Sequence, residues 1–179
     1  MLSNQLKSLT DLRTNPLLVS QLASNEGPVY ILNRNKLISV ILDINEYEEL
    51  LDQLQDAHDV AEIKELKKTA KPSDFILHDK LFSELGRNKV KSNMYKLVYS
   101  AQSEKFIRKL DTRQVKIKHR MEQVAHNPFA HDSNLEKVKD MTRGYRLRVG
   151  DIRLVYEVDS NNQTIAVWKT DWRASVYKN

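Results

Sequence analysis

The stretch GYRLRVGDIRLVYE, residues 144–157, decides how the second half of this chain folds. Tyr145, Leu147 and Val149 alternate with Arg146 and Arg148, the period of two that marks a strand with one apolar and one cationic face. Gly150-Asp151 interrupts the alternation and Ile152–Val158 resumes it, so the stretch reads as two antiparallel strands about a tight turn. A turn over Asp159–Asn162 leads to a third strand, Thr164–Lys169. On the other side, YKLVY at 95–99 is a further alternating strand. Two helical segments follow it, one with Phe106, Ile107 and Leu110, the next with Val115, Ile117, Met121 and Val124. Asp111 or Thr112 is placed to cap the second helix and Asn127-Pro128 to close it, while 129–141 reads as loop anchored by Leu135 and Val138. One sheet against two helices is the expected architecture.

The first half reads differently. Residues 1–93 carry 12 Lys and Arg against 14 Asp and Glu, whereas 94–179 carry 17 against 10, and Met94 stands at the seam. Within 46–84 there are 11 acids and 5 bases. An acidic, helix-prone segment before a basic, strand-rich module suggests an inhibitor joined to the surface it covers. The chain has no Cys, which excludes disulfides and thiolate metal sites and fits a reducing cytoplasm. No signal peptide and no apolar run near the roughly 20 residues of a membrane span is evident, so a cytoplasmic protein without membrane contact is expected. A pI near 9.3 makes a nucleic-acid partner plausible.

In the first half, Asn15-Pro16 is a helix start, with Leu17, Leu18, Val19 and Leu22 as its apolar face and an end near Ser24–Gly27. Val29–Leu32 and Leu37–Leu42 about the turn Asn33–Lys36 read as a β-hairpin. Asn45 and Glu48 have capping-box spacing before a long helix striped by Tyr47, Leu50, Leu51, Leu54, Ala57 and Ala61. Pro72-Ser73-Asp74 interrupts that pattern. Ser73 or Asp74 then caps a second amphipathic helix carrying Phe75, Ile76, Leu77, Leu81, Phe82 and Leu85 and ending at Gly86. A helix laid into a groove is its expected use. Residues 87–93 read as a polar tether reaching about 25 Å at most, so the segment docks near the start of the second module or swaps onto a second chain.

The order helix, GPVYI (27–31), Asn-rich hairpin, SVILDINEYEELLDQL (39–54) resembles the Phd/YefM antitoxin family. MYKLVYS (94–100), the 144–157 stretch and RASVY (173–177) resemble the RelE branch of the RelE/ParE toxin superfamily. The two resemblances together imply an α+β chain. Residues 1–60 would be a Phd/YefM-like DNA-binding and dimerisation domain, 61–93 a toxin-neutralising segment and tether, and 94–179 a RelE-like antiparallel sheet on two helices. They imply a type II toxin–antitoxin fusion, a ribosome-dependent mRNA endoribonuclease neutralised by its own antitoxin segment. That segment also binds operator DNA for autoregulation. The implied partners are mRNA on the ribosome, operator DNA and a second copy of the chain. The DNA contacts fall on Lys7, Ser8, Thr10, Arg13, Arg34, Asn35 and Lys36, and the dimer on the hairpin strands and the 45–66 helix.

The toxin resemblance implies catalysis by Arg146, Arg148, Arg153, Arg173 and Tyr177. Arg153 would hold the scissile phosphate, Tyr177 would stack on or orient the cleaved nucleotide, and Arg146 and Arg148 would stabilise charge. The cations read as having little carboxylate near them. Guanidinium pairs phosphate bidentately and is a poor proton shuttle, so Arg146 and Arg148, where the best-known members carry Lys, favour binding over proton transfer. Asp171 stands where some members have a second basic residue. Glu157 reads as a solvated strand-edge carboxylate, and His119, His126 and His131 have no metal or triad spacing; neither metal nor cofactor is called for. Two other readings follow from the same residues, an autorepressor with an inactive toxin module and a ParE-type gyrase inhibitor. Activity of the first kind requires proteolysis within 60–93.

Overall fold

A computed structural model describes residues 4–85, 95–130 and 132–173 of the 179-residue chain. Gly86, the 87–93 tether, Met94, His131 and Tyr177 lie outside the described residues. The chain divides into two compact units after Leu54.

The first unit holds β1 (Leu6–Ser8), α1 (Leu9–Thr14), α2 (Pro16–Glu26), β2 (Val29–Asn33), β3 (Lys36–Ile41) and the start of α3 (Ile44–Thr69). β2 lies centrally, parallel to β1 and antiparallel to β3. Asn15 caps α2 by accepting from the Leu18 amide at 3.4 Å. Arg34 and Asn35 both take positive φ (48° and 61°), the conformation of a two-residue hairpin turn whose twist matches its strands. The expected α2 face is corrected: Val19 and Ala23 are buried, whereas Leu17 and Leu18 are exposed. The α3 start is corrected too. Asp43 is the capping residue, accepting from the Asn45 amide at 2.8 Å, and Asn45 is already helical. Sequence reading also passed over β1 and α1, although Ser8 and Asp11 form a full capping box there.

The second unit is built on a six-stranded sheet in the order β4-β5-β9-β8-β7-β6, with β4 (Phe75–Leu77), β5 (Lys96–Ser100), β6 (Leu135–Lys137), β7 (Gly144–Val149), β8 (Ile152–Asp159) and β9 (Thr164–Trp172). The expectation of a wholly antiparallel sheet fails at one place, since β5 and β9 run parallel. β6 lies in the stretch read as loop, with Val138 buried just beyond it. Gly150 turns β7 into β8 at φ 65° with open space around its Cα, so its requirement is conformational rather than steric.

One sheet face packs on α5 (Ala101–Arg108) and α6 (Arg113–His126). Tyr99, Ile107, Ile117, Met121, Leu147, Leu154 and Val167 form the main core there. Against the opposite face lies the end of α3, with Val60 and Ile63 packed on Val138, Met141, Val155 and Trp168. Tyr47, Leu50, Leu54, Ala57 and Ala61 are exposed, and the face of α3 buried in the second unit carries Gln55, Asp59, Val60 and Ile63.

The segment after α3 is also corrected. Phe75–Leu77 is a strand, not helix: it pairs antiparallel with β5, Phe75 opposite Ser100 and Leu77 opposite Val98. A 3-10 turn, Pro72–Asp74, leads into it, and a single helical turn, α4 (His78–Leu81), follows. Leu81 and Phe82 enter the main core and Ile76 packs against it, while Leu77 and Leu85 face solvent. Edge pairing by the strand and two apolar anchors, not a helix in a groove, attach this arm.

Candidate anion-binding site and its acidic cover

Antiparallel register sets the site. Across β7, β8 and β9, Arg146 pairs with Val155 and Val155 with Lys169. In the next row Arg148 pairs with Arg153 and Arg153 with Asp171. Side chains in register across adjacent strands share a face, so Arg146, Arg148, Arg153 and Lys169 gather on the face opposite the main core.

That face is covered. Arg146 Nη1 lies 2.9 Å from Asp56 Oδ2, and the second Asp56 oxygen pairs with Arg153. Arg153 Nε is 3.0 Å from Asp59 Oδ2, and Lys169 Nζ is 3.0 Å from Asp59 Oδ1 and also pairs with Glu62. Gln55 accepts from Arg153 Nη1 at 3.3 Å and donates to the Trp172 carbonyl at 3.2 Å. Arg153, Arg146, Lys169 and Asp59 are each at most 4% exposed. A charge so buried is tolerated only when paired, and removing one partner of such a pair is far costlier than losing a surface bridge. Burial by itself would lower the Lys169 pKa; Glu62 and Asp59 outweigh it and hold the ammonium above its usual value.

The expectation of few nearby carboxylates is therefore wrong. Besides the α3 acids, Glu136 of β6 pairs with Arg146 and lies 3.1 Å from Arg148 Nη1. Glu157 is not a solvated edge residue either. It sits on the interior strand β8, accepts from Trp168 Nε1 at 3.0 Å and pairs with Lys67. Trp168 is itself held by Phe75 of the arm, edge-on at 5.1 Å between centroids, and by Lys67 above its ring at 5.3 Å.

Of the five residues expected to catalyse, Arg146, Arg148 and Arg153 share this face. Arg173 follows β9, where its amide donates to the Asp151 carbonyl at 2.8 Å, and Tyr177 lies outside the described residues. Lys169 was passed over, since one Lys on a strand carries no local signal of its own. His119 and His126 are exposed, and His119 Nε2 lies 3.1 Å from Gln123 Nε2. His58, Asp59 and Glu62 bring ligand atoms within 4.8 Å of one another, but Asp59 and Glu62 already neutralise Arg153 and Lys169, and a cation would have to displace both.

In the first unit, Ser8 and Leu32 are in register on parallel strands, so Lys7, Ser8 and the start of α1 reach the same end of the sheet as the tip Arg34–Lys36. Thr10, Arg13, Arg34, Asn35 and Lys36 are exposed. Ser8 is committed locally: its hydroxyl donates to Asp11 Oδ2 at 2.7 Å and accepts from the Asp11 amide at 3.0 Å.

A sheet face bearing four cations, backed by two helices, has the chemistry of an anion site. Residues 97–177 match the family described as ParE toxin of type II toxin-antitoxin system, parDE. No curated protein sequence matches the chain. Among solved structures, the chain is similar to the RelE-RelB complex of Pyrococcus horikoshii OT3, at 20% identity over 43% of this chain and 92% of that one (TM-score 0.39). It is similar to the RelBE2 toxin-antitoxin complex of Mycobacterium tuberculosis, at 17% over 45% and 99% (TM-score 0.38), and to the isolated E. coli RelE toxin, at 24% over 46% and 89% (TM-score 0.38). Among the described residues no helix is long and apolar enough to cross a membrane.

Proposed function

We propose that the toxin domain is a ribosome-dependent mRNA endoribonuclease held silent by residues 55–85 of its own chain. The single observation that carries this reading is the engagement of Arg146, Arg153 and Lys169 by Asp56, Asp59 and Glu62. The attacking 2′-hydroxyl gives its proton to solvent and bonds to phosphorus as the bond to the 5′-oxygen breaks and that oxygen takes a proton from solvent, and charge grows on the non-bridging oxygens between. Preorganised cations aimed there are worth about 10²–10³ in rate for each well-placed donor. Arg153, central in the cluster, faces the scissile phosphate; Arg146 and Arg148 flank it; Arg173 and Tyr177 act from the C-terminal end. While the acids occupy those cations, phosphate has no place to bind. The cover belongs to the same chain, which gives it an effective concentration of about millimolar when the connecting segment is short.

In this reading the first unit dimerises and binds operator DNA. Its described core is small, built on Val19, Ala23, Val29 and Ile31, whereas Leu37, Ile38 and Val40 of β3 and Ile44, Tyr47 and Leu50 of α3 are exposed. Apolar exposure on that scale marks an interaction surface. Lys7, Thr10, Arg13, Arg34, Asn35 and Lys36 would meet phosphates and bases, with affinity falling steeply in salt. The chain would work in the cytoplasm, where both nucleic acids are found.

The test is cell-free translation with the full chain and with a triple neutral variant, Asp56→Asn, Asp59→Asn and Glu62→Gln, with primer extension to locate mRNA ends. Ribosome-dependent cuts from the variant alone support the reading. The family match on 97–177 favours one second reading, a gyrase inhibitor. Loss of supercoiling activity without mRNA cuts would establish it, and silence in both assays would leave an autorepressor with an inactive toxin module.

A further inference from the structure

The acids over the toxin face do more than neutralise it. Each carboxylate spans two cations: Asp56 joins Arg146 to Arg153, and Asp59 joins Arg153 to Lys169. A carboxylate bridging two donors occupies the place of a phosphate doing the same, with two oxygens facing two different cations. Asp56 and Asp59 stand three residues apart on one helix, where side chains are neighbours about 5–6 Å apart at Cβ. That spacing is comparable to the step between consecutive phosphates of a single strand.

We infer that Asp56 and Asp59 stand in for two consecutive RNA phosphates, and that Lys169 is a substrate-contacting residue that holds the second of them together with Arg153. The inference rests on the endoribonuclease reading and extends it. It fixes how the strand lies, along the former path of α3 from Arg146 towards Lys169. It also supplies the second basic group that Asp171 does not provide. Asp171 pairs in register with Arg153, yet Lys169, one row away on the same strand, brings its ammonium to the carboxylate that Arg153 shares. Lys169 is the only member of the cluster on β9, so the cluster spans three adjacent strands because of it.

The probe is a 2′-O-methyl RNA hexamer, which binds but has no free 2′-hydroxyl to attack, measured by fluorescence anisotropy on the full-length triple neutral variant. Adding Lys169→Ala should weaken binding about tenfold, the scale of one lost hydrogen bond to a charged group. Lys169→Arg should restore most of it. A dinucleotide with one internal phosphate should show a much smaller Lys169→Ala effect than the hexamer. Should the triple variant not unfold cooperatively, Asp59→Asn with Glu62→Gln frees Lys169 while leaving Asp56 in place, and the same comparison is made there. Equal hexamer affinity with Lys and Ala at 169 overturns the inference and leaves the endoribonuclease reading standing. No hexamer affinity in either opened chain also overturns the inference, and the translation assay decides the endoribonuclease reading.

Discussion

Asp59 and Arg153 are both 2% exposed and meet at 3.0 Å, a carboxylate of α3 against a guanidinium of β8 with almost no water on either. Each also has a second partner, Lys169 for Asp59 and Asp56 for Arg153. Arg153→Ala takes one of its two cations from Asp59, and Asp59→Ala takes one of its carboxylates from Arg153, so each breaks a buried pair at a cost of up to about 3–5 kcal/mol. Both tryptophans, Trp168 and Trp172, lie in the second unit, so urea unfolding followed by their fluorescence reads that unit. The double variant should lose clearly less than the sum of the two. An additive result would mean the pair is not coupled.

The arm makes a contrasting pair of predictions. Phe82→Ala removes a side chain that is 2% exposed in the main core and should cost about 3–5 kcal/mol by the same measurement. Leu77→Ala and Leu85→Ala, at solvent-facing positions of the same arm, should stay within about 0.5 kcal/mol. Had the arm been a helix in a groove, Leu77 and Leu85 would have mattered as much as Phe82.

Acid should loosen the arm. His78 is buried, with Nδ1 3.0 Å from the Tyr99 hydroxyl and Nε2 3.6 Å from Glu122, whose carboxylate also lies 3.8 Å from Lys118 Nζ. Burial lowers the His78 pKa below its usual 6.5, against the opposing pull of Glu122 and of neighbouring Asp79. A histidine depressed on folding takes up its proton more readily when unfolded. Its share of stability is therefore present above pH 6.5 and lost as pH falls below that value. Amide exchange is base-catalysed and slows as pH falls, so from pH 7.5 to 5.5 the exchange of the 75–82 amides should slow by less than the intrinsic rate does, and His78→Gln should remove this excess opening. An unchanged excess in that variant would assign the acid sensitivity to another group.

The first unit should not be a monomer. Ile38→Asp with Tyr47→Asp places charge on two exposed apolar elements, β3 and α3. Light scattering should show a dimer become a monomer, and operator affinity should fall with it. A wild-type monomer would remove the reason given for those exposed side chains.

Much of this fold was legible in local chemistry. Asn15-Pro16, Gly150-Asp151 and the alternation over 145–158 each state their own geometry within a short local stretch. What escaped depends on partners far along the chain. Phe75–Leu77 is too short for a period of two to be told from a period of 3.6, and its identity as a strand comes from β5, twenty residues on. The acidic stretch 46–84 pointed to a cover for the basic module but not to Asp56, Asp59 and Glu62 by residue, because charge patterning describes a helix without its neighbour. The apolar stripe on Tyr47, Leu50 and Leu54 marked the helix but not the face of α3 that is buried in the second unit, which cationic β-strands, not the main core, select. Arg146, Arg148 and Arg153 were legible through strand alternation. Lys169 became visible only once β8 and β9 were in register.

Protein synthesis in living cells after induction tests the central claim most directly, comparing the wild-type chain, the triple neutral variant, and that variant with Arg153→Ala added. If α3 silences the toxin face by occupying its cations, the wild-type chain leaves synthesis unaffected, the triple variant stops it within minutes, and Arg153→Ala restores it. A triple variant that folds and yet leaves synthesis as fast as the wild type would contradict the account.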